Sequence, residues 1–121
     1  SFFRSSILAS YNNTCCITGI KRPELLIAGH IKSWNEDEKN RLNPRNGIAI
    51  NALHDKAFES GLLTITPDFK IKISGNLSKG KQPKNVNDYF LQYDGKEIIL
   101  PSKFLPDEEF LKYHNEFRFQ H

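Results

Sequence analysis

A chain of 121 residues with a formal charge of +3, 38% apolar residues and nine Phe beside four Tyr suits one compact domain with a core of its own. Its cysteines are the adjacent pair Cys15 and Cys16, which excludes a disulfide framework and leaves no second pair for a Cys-only zinc site. No apolar run approaches the roughly 18 residues of a membrane span and no signal-peptide pattern opens the chain, so the expected setting is a reducing cytoplasm.

The chain begins at Ser1 without a start methionine. Phe3, Ile7 and Leu8 recur at helical spacing as far as Tyr11, and Asn12-Asn13 ends the pattern; this reads as the last turns of a helix belonging to a larger protein. Cys15 to Ile20 reads as a short strand running into a turn. After Pro23, the apolar run Leu25 to Ala28 predicts a buried strand ending at His30. Trp34 to Arg41 is polar, a short surface helix or a loop. Asn43-Pro44-Arg45-Asn46-Gly47 carries turn chemistry, and Ile48-Ala49-Ile50 resumes as a strand. Asn51 is an N-cap for a helix with Leu53, Ala57 and Phe58 on one face and Gly61 as its stop. Leu62 to Thr66 and Lys70 to Ser74 flank Pro67-Asp68-Phe69 as a hairpin, and Gly75 to Asn87 reads as a mobile loop. Tyr89 to Tyr93 and Glu97 to Leu100 are expected strands about an Asp94-Gly95 turn. Pro106-Asp107-Glu108-Glu109 opens a final helix that runs through Phe110, His114 and Phe117. The sum is an α+β domain with short hairpins and flanking helices.

Three of these signals converge. His30 ends a strand, Asn46 follows a turn and His54 stands in the first turn of a helix, so a strand, a hairpin and a helix can bring the three into one cleft. An imidazole titrates near neutrality and suits the activation of water; an amide can orient it, and a second imidazole can hold a metal. Asn46 has a further role open to it as a turn residue. Lys70, Lys72, Lys79, Lys81 and Lys84 form an acid-free basic stretch, either a track for a phosphate backbone or a solvated surface. Lys32 and Arg45 flank the site residues and are candidate phosphate contacts. Trp34 reads as a core or packing residue rather than a base-stacking platform, His114 as structural, and both cysteines as small buried residues.

The blocks Cys16-Ile17-Thr18-Gly19, Ala28-Gly29-His30-Ile31-Lys32-Ser33-Trp34, Arg41 to Ile50 and Leu53 to Leu63 resemble, in order and spacing, the HNH endonuclease family, and most of all the subgroup at the ends of bacterial restriction-type enzymes. The resemblance is close over about residues 12 to 75 and looser at Phe104 to Phe119. It implies a small ββα-metal domain: a single nuclease domain over 1–121, the C-terminal part of a larger protein. His30 matches the general base, Asn46 the residue that orients it and His54 the helix ligand of the metal. One divalent ion is implied, Mg²⁺ or Mn²⁺ ahead of Zn²⁺ or Ni²⁺. The implied partner is DNA, cut by in-line attack of water to leave a 5′-phosphate, with a homodimer formed through the full-length protein as one assembly and no membrane partner. Two positions depart from the pattern: Gly29 stands where many relatives carry a metal-binding acid or histidine, and Phe58 where some carry another histidine. They sustain the alternative of a catalytically impaired module that binds DNA or a protein.

Overall fold

Leu26–His30 (β1) and Gly47–Asn51 (β2) form an antiparallel pair in the computed structural model, which describes residues 1–121. The register sets Leu26 opposite Asn51 and His30 opposite Gly47. All five residues of β2 are buried, as expected of a strand covered on both faces. Helix α1 (Phe2–Ser10) crosses the pair and inserts Phe3, Ile7 and Leu8. It approaches closely because residue 47 is glycine: a Cβ there would stand 2.6 Å from Ile7 Cδ1 and 2.7 Å from Phe3 Cζ. With no linker, β2 runs into α2 (Ala52–Glu59), whose N-cap Asn51 accepts the His54 backbone N–H. The ββα unit is therefore built where turn, strand and cap signals agree.

A second hairpin pairs β3 (Leu63–Ile65) with β4 (Ile71–Ile73), and helices α3 (Lys84–Tyr89) and α4 (Glu108–Tyr113) follow. The fold is a small mixed α+β arrangement with short antiparallel hairpins, and no helix is long and apolar enough to cross a membrane.

Several elements differ from the sequence expectation. Cys15 to Ile20 is a closed turn, with Cys15 N–H donating to Ile20 O and Gly19 N–H to Cys15 O. Gly19 takes φ +81°, which folds the segment back before a strand can form. Gly75 to Asn87 is not a loop throughout: it holds a 3₁₀ turn, Gly75–Ser78, and most of α3. Tyr89 to Tyr93 is the end of α3 and a 3₁₀ turn, while Glu97 contributes only an isolated bridge to Lys70. Val86, Phe90, Tyr89 and Tyr93 recur at helical spacing, which outweighs their strand propensity. The final helix changes at Tyr113 into a π turn, His114–Arg118, where Asn115 Nδ2 donates to the carbonyls of Ile65 and Leu111.

His114 is 2% exposed and locks this segment to the ββα unit. Its Nε2–H donates to Phe58 O at 2.9 Å, the Thr64 hydroxyl donates to Nδ1 at 2.7 Å, and the ring stacks on Phe58 at 3.7 Å. Burial pushes its pKa down to about 4. The unfolded chain takes up that proton near pH ~6.5, so stability should fall as pH drops from there through about 4, by roughly 3 kcal/mol in all. Urea midpoints measured across that range should fall steeply in the native chain and less steeply in His114→Asn. An equal acid limb in both would contradict the account.

Candidate active site

His30 lies at the end of β1, half-buried at the wall of a cleft of about 400 Å³. Its ring stacks on Phe3 at 4.4 Å and meets Trp34 edge-on at 6.1 Å. Nε2 is 2.7 Å from the carbonyl oxygen of Arg41. A carbonyl only accepts, so Nε2 carries the proton and the lone pair of the neutral ring sits on Nδ1. No protein group hydrogen-bonds Nδ1. The ring is thus fixed by stacking and by one hydrogen bond, with a basic nitrogen left over.

Asn46 makes no hydrogen bond to His30. It is fully buried, and its amide closes the loop that joins β1 to β2. Lys32 N–H donates to Oδ1 at 2.8 Å, while Nδ2 donates to Lys32 O at 2.9 Å and to Asn40 O at 3.2 Å. Ile31 N–H also donates to the Asn46 carbonyl. Asn40 precedes Arg41, whose carbonyl holds His30, so Asn46 fixes the His30 ring through the backbone of the loop. Removing its amide would leave three part-buried backbone groups without that partner, at a cost of up to about 1–3 kcal/mol each where water cannot replace it.

His54 stands outside the cleft. It is 3% exposed, Nε2–H donates to Tyr89 O, and Nδ1 accepts from Asn51 Nδ2 at 2.9 Å. The ring packs on Phe90 at 4.8 Å, and burial lowers its pKa. With both nitrogens engaged, this imidazole has no lone pair for an ion. Asn51 Nδ2 also donates to Cys15 Sγ at 3.3 Å, and the Asn51 and Thr18 backbone N–H groups donate to the same sulfur. His54 and Cys15 are therefore tied together by hydrogen bonds in the support beneath the site.

The residue that faces the cleft is the next one along, Asp55. Its side chain occupies the space left by the missing Cβ of Gly29, where that atom would stand 2.6 Å from Asp55 Oδ1. The position that lacks a ligand in the sequence is thus filled by a carboxylate from α2. Glu59, one turn further along the same face, also lines the cleft. Burial, and then the neighbouring Glu59 charge, push Asp55 up to about 6. Two hard oxygen donors on one face of α2, in the cleft that His30 also lines, fit a hard divalent cation. No group of three or more His, Cys, Asp or Glu side chains is arranged so that it could hold a metal ion by itself, so water and substrate oxygens would have to complete any shell. The sequence signal for Asp55 was its i, i+4 spacing with Glu59 on a capped helix.

None of the cations named from sequence lines the cleft, and several have partners elsewhere. Lys32 Nζ lies over the Tyr113 ring at 4.3 Å and pairs with Asp37 at 3.8 Å, and Arg45 is turned to Leu105 O and the Phe104 ring. Of the lysine stretch, Lys70 pairs with Glu97 and Lys84 with Asp88, and none lines the cleft. Trp34 is 52% exposed at the cleft mouth, with the Arg41 guanidinium 4.4 Å from its ring centre; it is not a core residue.

Residues 15–66, which span the whole ββα unit, match the model of a family described as HNH endonuclease. Among solved structures, a chain described as a modification-dependent TagI restriction endonuclease is similar in fold, with a TM-score of 0.55 at 17% identity over 89% of this chain. The match spans 34% of that longer chain. No curated protein matches significantly.

Proposed function

We propose that this chain, which carries an HNH endonuclease region at residues 15–66, is the metal-dependent DNA-cleaving domain of a bacterial restriction-type enzyme. The observation that carries the reading is the pairing, in one cleft, of a His30 ring whose Nε2 is committed to Arg41 O with the Asp55 carboxylate seated against Gly29.

His30 Nδ1 accepts a proton from water as that water attacks a backbone phosphorus in line with the departing 3′ oxygen. The Arg41 carbonyl keeps the ring in the tautomer that can do so and stabilises the imidazolium formed. Phe3 blocks one ring face and leaves the approach from the cleft. Asp55 and Glu59 would hold the divalent cation. When bound, it supplies charge neutralisation for the phosphate and the leaving oxygen. Asn46 acts at a distance, keeping the 31–46 loop closed so that the Arg41 carbonyl stays in reach.

Supercoiled plasmid incubated with the chain and Mn²⁺ or Mg²⁺ should be nicked slowly and without sequence preference, and chelator should stop it. The absence of a three-residue ligand cluster favours a second reading, a module that binds DNA without cutting it. Retardation of DNA with no cleavage in any of several metals would favour that reading and overturn the first.

A further inference from the structure

Arg118 lies beyond the segment that matches the family model, and it is the one lysine or arginine that lines the cleft. It enters from the π turn after α4, which is held against the end of α2 by three features. Gly61 takes φ +79°, and a Cβ there would stand 2.0 Å from Arg118 O, so the tail passes this turn only because residue 61 is glycine. Gln120 N–H donates to Gly61 O at 2.8 Å, and Gln120 Nε2 donates to Ser60 O at 2.7 Å. Phe119 is buried beside them. The backbone on both sides of Arg118 is therefore fixed, while its side chain is exposed.

Beyond its charge acting on Glu36, the guanidinium has little to do within the chain. It takes part in no ion pair, and its one hydrogen bond, Nη2 to Glu59 O, is 3.4 Å long. That is the outer edge of hydrogen-bond geometry, weak for a helix cap. Four other cations near the site, Lys32, Arg41, Arg45 and Lys56, do not line the cleft. A planar donor fork is suited to two oxygens of one phosphate.

Resting on the nuclease reading above, the geometry points to Arg118 as a phosphate-binding residue of the cleft, gripping the DNA backbone at or next to the phosphate that His30 serves. It supplies the positive wall that the acidic pair Asp55 and Glu59 does not.

The test measures binding of a fluorescein-labelled duplex by anisotropy in chelator, across a salt series, for the native chain, Arg118→Ala and Arg118→Lys. Arg118→Ala should weaken binding about tenfold and lower the slope of log K against log salt by about 0.9, the loss of one phosphate contact. Arg118→Lys should restore the slope and only part of the affinity, because it keeps the charge and loses the fork. In the metal-dependent nicking assay, KM should rise more than kcat falls. An unchanged affinity and slope in Arg118→Ala, with its melting temperature intact, would overturn the assignment. Failure of the nuclease reading would look different: no nicking by the native chain, whatever Arg118 does to binding.

Discussion

Replacing His30 with alanine should lower the rate of metal-dependent plasmid nicking by on the order of 10²–10⁴-fold, the range lost when a positioned general base is removed. The ring is held so that one nitrogen stays free. Nε2 donates to Arg41 O, so the neutral side chain presents Nδ1 as its base, and no protein donor competes for it. Alanine removes that lone pair and leaves the Arg41 carbonyl without its partner, yet the carbonyl sits on a half-exposed loop residue where water can replace the imidazole. The expected signature is a large fall in kcat with little change in DNA affinity, because the proposed role of His30 is to take a proton from water rather than to hold a phosphate. His30→Ala protein that nicks at the native rate would remove His30 from the reaction and, with it, the main support for the proposed chemistry. A fall in DNA affinity that matched the fall in rate would instead assign the ring to binding.

What the sequence made legible was local. Asn51 as a cap, Gly61 as a stop and the Asn43 to Gly47 turn each act on their immediate neighbours, and together they define the β1–β2–α2 unit. His30 at a strand end was readable for the same reason. The choice between His54 and Asp55 was not. Adjacent residues on a helix point about 100° apart, so a one-step ambiguity decides whether a side chain faces the cleft or the support beneath it. The decision is made by Tyr89, whose carbonyl takes the His54 ring from 35 residues away, and by Gly29, whose missing side chain leaves room for Asp55. Neither partner announces itself in the sequence near α2. Gly29 was legible as a gap in the donor set, but only the strand-to-helix packing shows that the gap is where the carboxylate goes. Arg118 is a stronger case: its place depends on a glycine 57 positions earlier admitting the tail past a turn. Tyr89 to Tyr93 was misread because aromatic residues serve strands and helices alike, and only their spacing, visible once Phe90 and Tyr93 are seen against His54, decides between them.

Asp55→Asn should abolish the stabilisation of the chain by Mg²⁺ or Mn²⁺ and reduce nicking by on the order of 10²-fold, whereas His54→Gln should keep the metal response. The pH dependence gives this prediction its sign. Asp55 is pushed up to about 6 by burial and by the Glu59 charge, so the folded chain retains a proton that the unfolded chain has already released. Stability from this group is therefore present at low pH and is lost as pH rises through about 6. Above that point, without metal, the folded chain carries a buried carboxylate facing another one. Asparagine cannot ionise, so Asp55→Asn should melt higher than the native chain at about pH 8 in chelator. A divalent ion reverses the ranking by neutralising the native pair: at ten times its dissociation constant it adds about 1.4 kcal/mol, a few degrees in melting temperature for a domain of this size. That gain should fade as the pH is lowered towards 5, where protonated Asp55 no longer offers its charge, and it should be missing from Asp55→Asn at every pH. His54→Gln is expected to melt lower throughout, since its ring fills the space between Asn51, Tyr89 and Phe90, but to rise with metal by the same amount as the native chain. A metal response lost in His54→Gln and kept in Asp55→Asn would return the ion to the imidazole and require α2 to turn in the cleft before it binds.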